Sequence, residues 1–168
     1  MMKRGRLSAR ARADAGVPDD ERVITWGVGD ERDPEGSLVI ATDQALYEQR
    51  SGSRVGWQDV IKGTWEQPDF VIDYQGEAGP RRLRIRLDDP RDLPAAVRDR
   101  VTDTVVVSEY RHLVESQGAH FVARRSPGGG LEEIRWSIVF DAGLDPADPA
   151  LRAKADDVLG ELRASLGI

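Results

Sequence analysis

The chain has 168 residues, no cysteine and a net charge of −6, with 39% hydrophobic and 32% charged residues. This composition is typical of a soluble globular protein, and the length suits one domain. The lack of cysteine excludes disulfides and thiolate catalysis and fits a reducing compartment. Because no apolar run reaches the length of a membrane helix and the N-terminal segment lacks the apolar region of a secretory signal, we expect a cytoplasmic location without stable membrane insertion.

The charge is distributed unevenly along the chain. The first twelve residues hold five basic side chains and no acid, whereas the rest holds 19 basic and 30 acidic residues. An acidic body argues against nucleic acid as the main partner, because phosphate contacts require a basic face. Residues 1–20 also lack hydrophobic periodicity, so we predict a disordered basic tail there and a single domain over residues 21–168. The basic residues of the tail are Lys3, Arg4, Arg6, Arg10 and Arg12.

The first two predicted strands are the β-branched segments "RVITWGV" (22–28) and "SLVIAT" (37–42). The stretch after Thr42, "DQALYEQ", can be a helix or the return strand of a hairpin. Its apolar residues at 45–47 are consecutive, and none follows at the four-residue spacing that a helix needs to form a stripe. Because Asp43 suits a tight turn, the sequence favours the hairpin.

Three further strands precede the middle of the chain. The segment at 54–67 is predicted to be a strand with an irregularity near Gly63. The segments at 69–75 and 81–88 alternate apolar and charged residues, which predicts two half-buried strands joined by a hairpin loop.

The hydrophobic period then changes to that of a helix. Leu93, Val97 and Val101 lie four residues apart, which predicts a helix at about 93–104. Asp148 and Pro149 are typical of a helix start, and an apolar stripe continues to residue 166. Together with the strands, these helices predict an α+β fold, in which a middle helix and a C-terminal helix at about 149–166 pack on an antiparallel sheet or barrel. The remaining predicted strands lie at 105–114, 119–126 and 132–141.

Two segments resemble the start of pleckstrin-homology-like and GRAM-like barrels. "GSLVIATDQALYEQRSG" (36–52) resembles their opening pair of strands, and "VGWQDV" (55–60) resembles the strand that follows. The resemblance implies an open barrel closed by a terminal helix. The terminal helix here lacks the tryptophan of many members, and the helix at 93–104 interrupts the strands. That helix indicates either an insertion or two sheet pieces that pack together.

Four other segments resemble a family of actinobacterial proteins that carries no assigned activity. The resemblance covers most of the chain after residue 22 and implies no catalytic or binding residue. The segments are "WQDVIKGTW" (57–65), "LPAAVRDRV" (93–101), "VARRSPGGG" (122–130) and "VFDAGLDPADPALRAKAD" (139–156).

A basic stripe on the strand at 81–88 is a candidate anion site. The neighbouring strand and the loop after it carry acids that can pair with the stripe across the hairpin, so a charge-paired sheet face is the favoured interpretation. The residues concerned are Arg82, Arg84 and Arg86 on one side and Asp69, Asp73 and Glu77 on the other.

The polar loop at 29–36 is the place where a barrel of this kind would bind a phosphoinositide. It holds Asp30, Glu31, Asp33 and Glu35, with Arg32 as its single basic residue. An anionic headgroup would be repelled there, so we expect no phosphoinositide binding. The same acids weakly suggest a calcium loop, but they lack the spacing of an EF-hand.

The chain has only two histidines, His112 and His120, which lie on predicted neighbouring strands. With Glu109 or Glu115 they are a candidate zinc site, although no spacing fixes a third ligand and surface positions are favoured. The sequence contains no nucleophile motif. We therefore predict no catalytic, metal-binding or cofactor-binding residue.

Two further features, a glycine-rich segment and the four tryptophans, are candidates for a phosphate loop and for a protein contact. "SPGGG" (126–130) lacks the lysine of a phosphate loop and is typical of a hairpin turn. The four tryptophans, if exposed, would suit a protein contact, but their strand positions favour the core. They are Trp26, Trp57, Trp65 and Trp136.

The leading functional hypothesis is a non-enzymatic interaction module that binds another protein or its own copy. It rests on the predicted fold and on the failure of each catalytic candidate. The alternative is a metal-assisted or acid/base enzyme that uses His112, His120 and nearby acids.

Overall fold

The computed structural model describes residues 5–168 and divides into two compact units, with the boundary between Asp103 and Thr104. The described residues form ten strands in three antiparallel sheets and three helices, which confirms the α+β prediction. The ladders form three sheets rather than one closed barrel. The division into two units differs from the single domain expected over residues 21–168. Within residues 5–168, every helix is too short or too polar to cross a membrane.

Unit one contains two of the sheets, formed by strands that follow one another along the chain. Strands β1–β4 form a four-stranded sheet in that order, and β5–β7 form a three-stranded sheet. The elements are α1 (Ala9–Asp14), β1 (Val23–Val28), β2 (Leu38–Thr42), β3 (Ala45–Glu48), β4 (Ser53–Gly56), β5 (Val60–Glu66), β6 (Asp69–Gly76), β7 (Gly79–Arg86) and α2 (Leu93–Asp103).

The ambiguous stretch after Thr42 is a hairpin, as predicted. Strands β2 and β3 pair antiparallel, with Ala41 opposite Leu46. The Thr42 hydroxyl oxygen closes the turn by accepting hydrogen bonds from the backbone N–H groups of Gln44 (3.1 Å) and Ala45 (3.0 Å). A side-chain oxygen thus satisfies the donors that the turn leaves unpaired.

The predicted strand at 54–67 is wrong in one respect, because a 3-10 turn at Trp57–Asp59 divides it into β4 and β5. The Trp57 side chain is fully buried, and its indole N–H donates to the Thr42 carbonyl oxygen at 2.9 Å. Burying this large ring where its N–H can reach a carbonyl requires the chain to turn there. The irregularity predicted near Gly63 is a register shift between Val60 and Lys62, and Gly63 itself pairs with Ile72.

The main core of unit one lies between its two sheets and α2. Its members are fully buried apolar side chains from both sheets, and α2 adds Leu93 and Val97, which confirms the helix predicted at about 93–104. The largest buried side chains in this cluster are Trp57, Phe70, Leu46, Ile72, Ile85, Leu87 and Leu93.

The opposite face of the β1–β4 sheet is covered by residues that the sequence predicted to be a disordered tail. Residues 9–14 form α1, and Ala15 and Val17, each 5% exposed, pack with Ile40 and Tyr47. The Arg12 guanidinium donates to the carbonyl oxygens of Pro18 and of Glu21, the latter at 2.7 Å. The part of the predicted tail at residues 1–4 lies outside the described residues.

Backbone hydrogen bonds also join the two sheets of unit one near the ends of β1 and β7. The Val28 N–H donates to the Asp89 carbonyl oxygen at 2.8 Å, and the Arg86 N–H donates to that of Glu35 at 2.9 Å. The first and last strands of this unit are therefore connected at one end.

Unit two is a three-stranded sheet in the order β10–β9–β8 with one helix packed on it. Asp148 caps the helix through the Ala150 N–H, which confirms the predicted start. The predicted hairpin that contains "SPGGG" is confirmed, because β9 and β10 pair antiparallel around that loop. The elements are β8 (Val105–Val114), β9 (Gln117–Arg124), β10 (Arg135–Phe140) and α3 (Pro149–Leu166).

Candidate functional site

Strand β8 is the most exposed strand of unit two. It pairs with β9 on one side, and within the part of the chain that the structure describes it has no strand partner on its other side. The five residues 108–112 at its centre are all exposed. Its ladder is regular from Val107 to His112 and irregular at both ends. An unpaired edge presents backbone donors and acceptors that another strand can use.

The sheet of unit two has two different faces. Alternation along the strands places Phe121 and Ala119 against α3, where they are fully buried. The other face carries Tyr110, His120 and Val139 in one row across the three strands. Tyr110 is 37% exposed and Val139 is 46% exposed. We call this surface the outer face.

The two histidines meet around one tyrosine on the outer face. The ring of Tyr110 lies 5.2 Å from the ring of His112 and 5.1 Å from that of His120, measured between centroids. The Tyr110 hydroxyl donates to an Asp141 carboxylate oxygen at 2.6 Å, and the same oxygen accepts from the Gly118 N–H at 2.8 Å.

The Asp141 carboxylate is held in its charged form by this environment. The hydrogen bonds from the Tyr110 hydroxyl and the Gly118 N–H lower the pKa of Asp141, and the nearby histidines lower it further when charged. The hydrogen bond to Asp141 correspondingly raises the pKa of Tyr110. The hydroxyl of Tyr110 is therefore a weaker acid than usual, which makes it a poor proton donor near neutral pH.

The acids that the sequence places nearest to the histidines are not part of this cluster. Glu109 forms an ion pair with Arg111 at 2.9 Å on the other side of the strand. Within residues 5–168, no group of three or more His, Asp or Glu side chains is arranged to hold a metal ion. Asp141 joins the histidines only through the β9–β10 register. A correct strand alignment was the one signal that could have identified it.

The basic stripe of β7 is paired with two of the three acids predicted for this role, Asp69 and Asp73 of β6. Arg82 contacts Asp73 at 2.6 Å, and Arg84 contacts Asp69 at 2.7 Å. These hydrogen bonds lower the pKa of both aspartates. Because these charges are already neutralised across the hairpin, the stripe offers little net attraction to an external anion.

The third arginine of the stripe ties down the acidic loop. Arg86 contacts Asp33 at 2.9 Å and Glu35 at 3.2 Å. The Glu35 backbone N–H and the Arg86 side chain lower the pKa of Asp33. Asp30 accepts from the Arg32 N–H at 2.8 Å. Three of the four acids considered as calcium ligands thus hold the loop, through the turn at Asp30 and the ion pairs of Asp33 and Glu35 with Arg86.

The four tryptophans differ in burial. Trp57 is in the core, as predicted, whereas the others are half-buried. Trp26 carries the Arg91 guanidinium 4.2 Å from its ring centroid, Trp65 packs on Phe70, and Trp136 packs against the core of unit two.

Comparison with protein-family models, with curated proteins and with solved structures finds no match to this chain.

Proposed function

We propose that this chain is a non-enzymatic interaction module that binds a protein partner along the β8 edge of unit two. The observation that carries the proposal is the exposure of residues 108–112 at the centre of a ten-residue edge strand. A partner strand that adds to such an edge gains main-chain hydrogen bonds, and side chains on the two faces supply specificity.

The outer face supports the same proposal. Tyr110 and Val139, which share this face, are two of the few large apolar side chains among the described residues that are strongly exposed. Tyrosine and histidine beside aliphatic groups are typical of protein contact surfaces, where an apolar body and a polar tip are both used. A partner on the β8 edge would extend its side chains across this surface.

Site-specific photocrosslinking tests the proposal. A photoreactive phenylalanine replaces Ser108 or His112 in separate variants, and Arg163 on α3 in a matched exposed control. On illumination in a native lysate, we expect protein adducts of discrete mass at the two edge positions and none at the control position. Equal adduct formation at all three positions, or none at the edge, would contradict strand addition at β8.

We propose further that unit one is a pleckstrin-homology-like unit. Its seven strands follow one another in antiparallel order, and α2 comes directly after them and packs into their core. The hydrogen bonds from the end of β1 to the Asp89 carbonyl oxygen and from the end of β7 to the Glu35 carbonyl oxygen support an open barrel. In this proposal α2 takes the place of the terminal helix, and unit two is an addition to the barrel.

The proposed partner is a protein rather than a nucleic acid or a phosphoinositide, and the proposed location is the cytoplasm. The net charge of −6 disfavours polyanions, and the arginines of β7 are already paired with acids. The absence of cysteine fits a reducing compartment.

The second candidate is a metal-assisted or acid/base enzyme built on the histidines of the outer face. The observation that favours it is the contact of His112, His120 and Asp141 with Tyr110. Bound zinc, measured in the wild type and in the His112→Ala/His120→Ala double variant, separates the two candidates. Stoichiometric zinc that disappears in the double variant would favour the enzyme, and the interaction module predicts none in either protein.

A further inference from the structure

The β8 edge has a sequence that is complementary to itself. When two antiparallel copies of a strand continue one sheet, a twofold axis perpendicular to the sheet pairs residues that are equidistant from one central residue. The regular part of the β8 ladder, Val107 to His112, has its midpoint between Glu109 and Tyr110 and so contains both. A pairing centred on Tyr110 therefore uses the stretch that can form a regular ladder.

The charges of β8 select the same centre. Pairing about Tyr110 places Glu109 of each copy opposite Arg111 of the other, and Ser108 opposite His112. Pairing about Glu109 or about Arg111 would instead place two like charges directly opposite each other. Opposite charges in facing positions stabilise a sheet, and like charges destabilise it.

The two charged side chains are in a position to form these contacts. Glu109 and Arg111 lie two residues apart and so share one face of the strand, and each is 46% exposed. Their ion pair within one chain, at 2.9 Å, need not break in the dimer. Two copies would bring four alternating charges together, in which each side chain has an opposite charge beside it and another across the strand pair.

The opposite side of the pairing is also compatible with a second copy. Tyr110 would face Tyr110 of the other copy, and Ser108 of each copy would face His112 of the other. No charged side chain is therefore placed opposite an apolar one. A charged pair normally protects an edge strand from association with other strands. Here Glu109 and Arg111 permit the pairing centred on Tyr110 and disfavour the pairings centred on Glu109 and on Arg111.

We propose that the partner at the β8 edge is a second copy of this chain, which pairs antiparallel about Tyr110 to form a continuous six-stranded sheet. This inference rests on the proposed interaction at β8 and names its partner. The interface is small, because the regular part of the β8 ladder has only a few residues. We therefore expect a weak dimer whose fraction rises with protein concentration.

Sedimentation velocity on the full chain, over a concentration series, tests the inference by charge reversal. Glu109→Arg and Arg111→Glu each create like charges across the strand pair, and each should weaken the dimer by at least about tenfold. The double variant Glu109→Arg/Arg111→Glu restores opposite charges in every facing pair and should dimerise like the wild type. An equimolar mixture of the two single variants should form a heterodimer.

The matched control is Glu161→Arg on the exposed face of α3, which makes the same charge change as Glu109→Arg and should leave dimerisation unchanged. Circular dichroism verifies that each variant is folded. A wild type that stays monomeric at every concentration overturns the inference, and so does a double variant that stays monomeric where the wild type dimerises.

The two proposals fail in distinguishable ways. A monomeric wild type that forms edge-specific crosslinks to a different protein overturns self-pairing and leaves the interaction module intact. A monomeric wild type without edge-specific crosslinks overturns both.

Discussion

The buried carboxylate of Glu48 shows how single side chains hold the turns of unit one together. Glu48 ends β3 with only 3% of its surface exposed. It accepts hydrogen bonds from the backbone N–H groups of Arg50 and Ser51, both at 2.8 Å, and from the Ser51 hydroxyl. These donors lie in the turn that leads to β4, so the carboxylate fixes the conformation of the connection.

The electrostatic balance at Glu48 favours its charged form. Burial acts to raise the pKa of this carboxyl, but the hydrogen bonds from Ser37, Ser51 and Arg50 outweigh it, so the pKa is lowered from its ordinary value of 4.5. A group whose pKa is lower in the folded than in the unfolded state stabilises the fold above the unfolded value. That stabilisation is lost as the pH falls from the unfolded-state pKa through the folded-state pKa of Glu48.

We therefore predict that Glu48→Gln reduces the free energy of unfolding at neutral pH and that the difference from wild type shrinks below about pH 4.5. Urea denaturation at neutral and acidic pH measures this difference. Glu66→Gln, at an exposed position, controls for the general loss of a negative charge. A difference that is independent of pH would contradict a charge-dependent role for Glu48.

At the scale of an element, Gly118 shows why β8 and β9 can approach so closely. A Cβ atom at this position would lie 1.9 Å from the Arg111 carbonyl oxygen and 2.9 Å from the His112 Cα atom. Both are backbone atoms of the facing strand, which cannot move without disrupting the ladder. The glycine also places its N–H against Asp141.

We predict that Gly118→Ala destabilises the protein by about 1–3 kcal/mol or more, because the added methyl group would overlap the backbone of β8. Thermal unfolding of the variant beside Gly160→Ala measures the effect. Gly160 lies in α3 with open space around it, so alanine there should instead stabilise the protein by about 0.5–1 kcal/mol. Equal effects of the two substitutions would refute the steric explanation.

The elements themselves were largely predictable from local pattern. The spacing of Leu93 and Val97 identified α2, and Asp148 with Pro149 marked the start of α3, because helix signals are local. The 3-10 turn at Trp57–Asp59 was missed, because it depends on a hydrogen bond to the distant Thr42 carbonyl. The Tyr110 cluster was incomplete for a similar reason, since register decides which side chains meet across strands.

The sequence contains one signal that residues 5–20 are ordered, and it lies in strands β2 and β3. Strands β2 and β3 each contain three consecutive apolar residues, 39–41 and 45–47, and all six are buried. Alternation is expected when only one face of a sheet is covered, so consecutive apolar residues indicate cover on both. Leu7, Ala15 and Val17 supply part of that cover, and three apolar side chains are too few to give residues 5–20 a periodic pattern of their own.

At the scale of the whole molecule, each of the two units has its own hydrophobic core. The core of unit two is formed by Phe121 and Ala119 from β9 and by Ala155 and Leu162 from α3. Leu162 is 3% exposed. Since these clusters do not share members with those of unit one, damage to one core should act first on its own unit.

We predict that Leu162→Ala costs unit two ~2–5 kcal/mol of stability, because the substitution leaves a cavity beneath the sheet. Hydrogen exchange followed by mass spectrometry should show faster exchange in β9 and unchanged protection in β2. Arg163→Ala, one residue further along the exposed side of the same helix, is the control. Loss of protection of equal size in both units would show that they unfold as one.

The docking of Arg12 onto the carbonyl oxygens of Pro18 and Glu21 has a practical consequence for expression and purification. Trimming the chain at residue 20, as its composition invites, would strip the cover from Ile40 and Tyr47. The shortened protein would then expose an apolar sheet surface that is covered in the full chain. Aggregation or spurious dimers seen with such a protein would report on the missing segment, and affinity tags are better attached at the C-terminal end.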